Sequence, residues 1–498
     1  MLKSVCSDKT VVLYWDLPEN YEKDNRYVVS LGGKNIGETE KCHFKIDELM
    51  PDTTYEFTVN MVGKNPCIIG DLICVTEIEK ERIDITKPPY NAIGDGKTLN
   101  TEKIQAAIND CRANQCVYIP AGDFMTGSLY LHSDMELYLE KEAILHGTCE
   151  VHDYEPKIKS RFEGIEMMCY AALVNIGELD REKGYNCFNV KISGEGTICG
   201  GGRVLAQNVI DVETILQKDY MESLGNKIND CECLMTIPGR ARPRLINISS
   251  AQNITITGIK IMNGPCWNVH MIYSDNIITY GCTFSSHGVW NGDGWDPDSS
   301  TNCTLFGSEF FTGDDAVAIK SGKNPEGNVI NKPCEHIRVF DCISHSGHGI
   351  TIGSEMSGGV NDVRIWNCDM GNSLYGIEIK GTKKRGGYVK NVCVSHSKVC
   401  RILIHSVGYN DDGEGAPEAP VFKDCTFENI YITARNQNLD GNDEICNAIE
   451  LSGFDIPGHF IKNVRFKNIV IDDKIESRKQ NICLQCCEGI SIENISCR

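Results

Sequence analysis

Asp293, Asp314, Asp315 and His348 are the residues of this chain whose types and spacing best suit chemistry. They lie in three short strings, WNGDGWDPDSS (290–300), TGDDAVAIKSG (312–322) and SGHGITIGSE (346–355). Two further strings follow, YGIEIKGTKKRGG (375–387) and CRILIHSVGYN (400–410). Aligned on their alternating apolar cores, four strings share one register. Val317–Ile319, Ile350–Ile352, Ile377–Ile379 and Ile402–Ile404 take equivalent places, and Trp295 and Pro297 fill them less well in the first string. Asp293, Asp315 and His348 then stand at one position on three consecutive repeats, with Asp314 one residue ahead of Asp315. Lys320 and Lys380 each follow five residues later, after Asp315 and after its counterpart Tyr375. Carboxylates, an imidazole and cations gathered in this way suit acid–base cleavage of a bond between sugars.

Such residues meet only if the repeats stack. The strings NITITGIKI, NIITYGCTF, NCTLFGSEF, HIRVFDCIS and DVRIWNCDM begin at Asn253, Asn276, Asn302, His336 and Asp362, about 23 to 34 residues apart. They are short, alternating and rich in Val, Ile, Phe and Tyr, with Gly, Asn and Asp between them. A period of this length predicts a solenoid, and its β character predicts a parallel β-helix of about ten coils. Adjacent coils lie about 4.8 Å apart. Side chains alternate along a strand, so Asp296, Ala318, Lys320, Thr351, Glu378 and Lys380 face outward, where one side of the helix gathers polar groups into a cleft.

Residues 1–80 read differently. VVLYWDL, RYVVSLG, HFKIDEL and YEFTVNMV read as strands of a small β-sandwich. LMPDTTYEFTV (49–59) resembles the fibronectin type III signature, which implies a corner hydrogen bond from Tyr55 and a core place for Trp15. TEIEKERIDITKPP (76–89) reads as a linker, and residues 81–498 as the β-helix domain. NTEKIQAAIND predicts a helix capped by Asn100 or Thr101 that covers the open end of the solenoid. A long insertion between about 150 and 240 interrupts the repeat and walls one end of the cleft.

Composition narrows the function classes. A formal net charge of −20 excludes general nucleic-acid binding. No apolar run reaches the roughly 20 residues of a membrane span. The N-terminal residues lack a secretory signal, so the 26 cysteines are expected as reduced thiols in a cytoplasmic, bacterial-like protein. CLQCC (483–487) holds one CxxC with no second pair, which does not make a zinc site. The sequons at Asn253 and Asn302 begin strands, which disfavours glycosylation.

Four ordered motifs resemble glycoside hydrolase family 28, the polygalacturonases. They are Asn291-Gly292-Asp293, Asp314-Asp315, Gly347-His348-Gly349 and Glu378-Ile379-Lys380. A fibronectin-like module ahead of them resembles some bacterial exopolygalacturonases. The resemblance implies a right-handed β-helix and an inverting hydrolase of α-1,4-galacturonosidic bonds in pectic oligosaccharides, acting from the chain end. It implies Asp314 as general acid, Asp293 and Asp315 as the pair that activates water, His348 as a tuning group, and Lys380 on the sugar carboxylate. Clustered carboxylates are expected to keep one member protonated. Inversion predicts an acid-to-base gap of roughly 6.5–9.5 Å. No metal or cofactor is expected.

Further cations within reach are Lys320, Lys323, Lys383, Lys384 and Arg385, with Arg240, Arg242 and Arg244 from GRARPRLI; Asn291 and Tyr409 complete the candidate binding residues. One departure stands out. Glu378 occupies a place where the family usually has Arg. Either it pairs with a nearby cation such as Lys320 or Lys380, leaving Arg385 or another cation for the acid, or it accepts sugar hydroxyls. The second case favours another pectic glycan, such as rhamnogalacturonan or xylogalacturonan fragments.

Overall fold

The computed structural model describes residues 1–433, 442, 446–472 and 480–498. The chain divides into two compact units, residues 1–82 with 112–116, and residues 83–111 with 117–498.

The first unit is an antiparallel β-sandwich. Leu2–Cys6, Val11–Trp15 and His43–Ile46 form one sheet, and Lys34–Thr39, Arg26–Leu31, Thr54–Val62 and Cys67–Val75 form the other. Val11, Leu13, Trp15, Tyr27, Val29, Phe57 and Val59 fill its interior. The Tyr55 hydroxyl accepts from the Met50 amide at 2.9 Å, the expected corner bond. Trp15 meets Tyr27 edge-on, with ring centroids 5.0 Å apart.

The second unit is a parallel β-helix. A typical coil places Asp275–Tyr280 and Thr283–Ser285 in one large sheet and Trp295–Asp298 in a separate sheet of eleven strands among the described residues. The expected register holds. Val317 pairs with Ile350, Ile350 with Ile377, Ile377 with Ile402, and Trp295 with Val317. These side chains point inward and are fully buried, each contributing about 1.5–3 kcal/mol. Phe284 stacks on Phe310 within the same core, and a second run of stacked rings, Tyr280, Phe306, Phe340 and Trp366, lies outside it.

The repeat starts have a physical cause. Asn253, Asn276, Asn302, His336 and Asp362 all adopt left-handed backbone, with φ between 54° and 61°. Asn and Asp tolerate that conformation better than most residues. The Asn276 amide donates to Asn253 Oδ1 at 2.8 Å, and Asn253 donates to Asn189. A ladder of polar side chains thus marks the turn coil by coil.

Three expectations need correction. The linker reading of 76–89 is too long: Ile85 is buried in the β-helix core and its amide donates to the Tyr118 carbonyl. The helix Thr101–Asp110 is present, but the Asn100 side chain does not cap it. That amide is used on the backbone of Ile93 and Thr98. The insertion is two pieces, an antiparallel hairpin (Ile158–Phe162 with Ile165–Cys169) and a helical segment starting at Gly202 and ending at Gly239. A regular coil with strands Val174–Ile176, Cys187–Gly194 and Thr197–Cys199 lies between them.

Candidate active site

The site sits on the outer face of the eleven-stranded sheet. Alternation places Asp296, Asp298, Lys320, Thr351, Glu378 and Lys380 there, and all are buried, so other segments cover them. Over Asp298 the cover is the hairpin. Arg161 Nη1 donates to Asp298 Oδ1 at 2.8 Å and to Ser299 Oγ at 3.0 Å. Arg244 lies over the Phe162 ring and donates to the Arg161 carbonyl at 2.6 Å. Glu163 pairs with Arg240 at 2.7 Å, Arg240 with Asp412 at 2.9 Å, and Asp412 with Lys323. The face is closed on this side. It is open beside Asp314 and His348, whose side chains are 24% and 14% exposed, and beside Tyr409, 44% exposed.

At the open side His348 Nδ1 lies 2.9 Å from Asp314 Oδ1 and 3.2 Å from Asp315 Oδ1. The Thr351 hydroxyl donates to Asp315 Oδ1 at 2.6 Å. Burial works to raise the Asp314 carboxyl, but the His348 cation overrides it and holds Asp314 at about 2. Burial likewise opposes ionisation of Asp315, and Lys380 with His348 hold it below its ordinary range. Burial disfavours the His348 imidazolium, yet the two carboxylates hold its pKa well above the usual value. At this side of the cleft the proton is therefore on His348 and not on Asp314.

The opposite holds one coil earlier. Asp293 and Asp296 are both raised well above the ordinary carboxyl value, first by burial and then by neighbouring carboxylates. Lys320 is the cation between these groups. Its Nζ lies 3.5 Å from Asp293 Oδ2, 3.5 Å from Glu355 Oε2 and 4.5 Å from the Trp267 ring centroid. Burial disfavours the ammonium, and Glu355, Asp293 and Asp296 restore it.

Asp314, Asp315 and His348 are the one group of ligand-type side chains among the described residues close enough to share a metal ion, with ligand atoms within 4.8 Å of one another. Here the His348 imidazole is the charge beside both carboxylates, within ion-pair distance of each but with neither ring nitrogen in hydrogen-bonding geometry. The Asp314 and Asp315 oxygens approach within 4.8 Å, nearer than roughly 6.5 Å, so the predicted acid-to-base gap does not lie between this pair. The residues are adjacent in sequence and share one cation, which offsets their repulsion.

Of the binding residues, Lys380 enters the site. Its Nζ lies 2.9 Å from Glu378 Oε2 and 5.9 Å from the Tyr409 ring centroid. Glu378 Oε1 lies 2.7 Å from His405 Nε2. Burial opposes the Glu378 charge, and Lys380 and His405 hold it at about 2. Glu378 therefore pairs with a nearby cation, the first of the two alternatives, and each oxygen has a basic neighbour.

The arginines do not enter. Arg385 is fully buried and donates to the Ser354 carbonyl, Asn324 Oδ1 and the Asn410 carbonyl. Arg242 donates to the Gly239 and Trp290 carbonyls and, at 2.7 Å, to Asn291 Oδ1. It positions the loop before Asp293, so Asn291 is tied to protein. Lys383 is exposed, and Lys384 donates to the Asp411 carbonyl at 2.7 Å.

Sequence reasoning placed Asp296 on the cleft face without giving it a role, and missed Glu355, His405 and the buried Arg161–Asp298–His270 group. His270 Nε2 lies 3.3 Å from Asp298. Burial pushes His270 down to about 4, so it is neutral. The signal available was WDPD itself, which puts aspartates at two outward positions of one strand.

The parallel β-helix thus carries a half-closed face of carboxylates and lysines. The model of glycosyl hydrolases family 28 matches residues 182–469, and the chain belongs to that family. It is 31% identical over 375 residues to a probable polygalacturonase of Vitis vinifera, covering 70% of each chain. It is 26% identical over 503 residues to an exo-poly-alpha-D-galacturonosidase of Dickeya chrysanthemi, covering 90% of this chain and 82% of the relative. The solved family 28 exopolygalacturonase of Yersinia enterocolitica superposes with a TM-score of 0.82 at 22% identity, covering 99% of this chain and 98% of that one. The shared fold is the right-handed parallel β-helix.

Proposed function

We propose that this glycoside hydrolase removes galacturonate units from the ends of pectic oligosaccharides by cleaving α-1,4-galacturonosidic bonds with inversion. The observation that carries the end-acting reading is the one-sided closure. The hairpin seals the face at Asp298 through Arg161, while Asp314, His348 and Tyr409 stay accessible, so a sugar chain enters but does not run through. The similarity to an exo-poly-alpha-D-galacturonosidase over 90% of the chain supports it.

Asp314 is the general acid. In the free protein its proton rests on His348, 2.9 Å away, and moves to Asp314 as the leaving oxygen approaches. Asp293 and Asp315 take the proton from water. Lys380 binds the carboxylate of the sugar at the cleavage point, and Tyr409 beside it offers an apolar ring to that sugar. Glu378, occupied by Lys380 and His405, is not free to favour a neutral sugar.

The small sandwich is a fibronectin type III-like module, supported by its three-plus-four strand order, the Tyr55 corner and core Trp15. A cytoplasmic place fits the 26 cysteines, all free thiols and many buried. The substrate would then be short imported fragments. The test is product analysis from digalacturonate, longer oligogalacturonides and rhamnogalacturonan fragments, each with and without EDTA. Release of galacturonate units from chain ends in both conditions supports the reading. Turnover of the rhamnogalacturonan fragments alone overturns it.

A further inference from the structure

Asp296 is fully buried, and neither of its carboxyl oxygens has a hydrogen-bond partner in the protein. That state is costly for a carboxylate. It lies on the outer row of the site, three residues after Asp293, whose Oδ1 is also without a partner. The charged and titratable groups around Asp296 come from three coils. Asp293 leads into its own strand, and Cys266, His270 and Arg244 belong to preceding coils. Asp314, Asp315 and Lys320 stand on the next coil. Lys320 is the nearby cation, and it also serves Glu355. Arg244 is spent on the Arg242 and Arg161 carbonyls. Glu355 also draws on Arg385 and Lys323, and Arg242 faces Asp293 but is spent on the Gly239 and Trp290 carbonyls and Asn291 Oδ1, so for Asp293 and Asp296 together one lysine does not offset two buried carboxylates.

We propose that Asp293 and Asp296 share a single proton that resides on Asp296, so that Asp296 is the positioning residue that leaves Asp293 ionised as base. The inference rests on the hydrolase reading above. In the cleavage step Asp314 gives one proton to the leaving oxygen and Asp293 takes one from water. Asp296 keeps its proton throughout. The pattern follows from like charges in one dry site, where one group stays neutral so that the other can ionise.

The test compares Asp296→Asn with Asp293→Asn and wild type on an oligogalacturonide, with pH profiles, thermal melting and infrared difference spectra. Absence of wild-type turnover would reject the hydrolase reading whatever Asp296 does. Given turnover, an amide stands in for a neutral acid. Asp296→Asn is expected to lower kcat far less than Asp293→Asn, which loses about 10²–10⁴-fold, and to leave the acid limb of kcat/KM in place. A loss in Asp296→Asn as deep as in Asp293→Asn overturns the proposal. So does a shift of the acid limb to lower pH, the sign produced by removing a neighbouring negative charge from Asp293. If Asp296→Asn does not fold, the infrared band of a protonated carboxyl decides. Its presence in wild type and its survival in Asp293→Asn support the proposal, and its absence from both contradicts it.

Discussion

Two faces of the same coils obey opposite rules. On the turn face polar side chains are answered by polar side chains of the adjacent coil, as Asn276 is by Asn253 and Asn302 by Asp275. On the cleft face no neighbour is a copy: His270, Asp296, Ala318, Thr351 and Glu378 follow one another across five coils. The first pattern satisfies its own hydrogen bonds and needs nothing from outside. The second leaves buried oxygens of Asp293 and Asp296 without partners. In a solenoid, the place where the repeat stops answering itself is where a substrate belongs. Buried polar groups left open cost free energy, and a fold retains them where they do chemistry.

The largest effect should come from breaking the cleft face at its acid. Asp314→Asn should lower kcat by about 10²–10⁴-fold with the fold intact, as checked by steady-state kinetics and circular dichroism. Retention of more than about a tenth of the rate would remove Asp314 from the role.

Lys380→Met should act mainly through KM on galacturonides. A hydrogen bond to a charged group is worth about 1.5–3 kcal/mol, so kcat/KM should fall about ten- to hundredfold. An equal loss on a reduced, uncharged substrate analogue would show that Lys380 binds no acid.

The turn face should respond in stability alone. Asn276→Ala loses one ladder bond and places a β-carbon in left-handed backbone. The cost should be about 1–3 kcal/mol by denaturant unfolding, with kcat unchanged. A comparable loss of kcat would mean the two faces are not independent.

The smallest effect sharpens the contrast through pH. Asp314 is held at about 2, below the ordinary carboxyl value. A depressed acid stabilises the fold above its unfolded pKa, and that contribution is lost as pH falls through the folded one. Between about pH 4 and 2 wild type should therefore lose stability more steeply than Asp314→Asn. Parallel melting curves in that window would show that the His348 pair contributes nothing.

The sequence shows some of this plainly and hides the rest. Alternation and spacing place Val317, Ile350, Ile377 and Ile402 in register because a stacked apolar core admits one alignment. The same alignment brings Asp293, Asp315 and His348 to one position. Charge state is not legible in that way. Which member of the carboxylate cluster holds a proton is not readable until the 2.9 Å contact between Asp314 and His348 is seen. Arg385 and Arg242 read as substrate cations because a run of basic residues near a cleft looks available. The loops instead turn their guanidinium groups onto backbone carbonyls. The hairpin at 158–169 carries no repeat, so nothing in its sequence says that Arg161 would reach Asp298.

The account rests most directly on the stereochemistry of cleavage. Asp314 and Asp315 are as close as the carboxylates of a double-displacement pair, yet both are held by one imidazolium, while Asp293 keeps an unpartnered oxygen on the neighbouring coil. Proton NMR of product formed in the first turnovers, before mutarotation, decides between the two schemes. The account predicts the β-anomer from the α-linked substrate. The α-anomer would contradict it and make one of the aspartates a nucleophile.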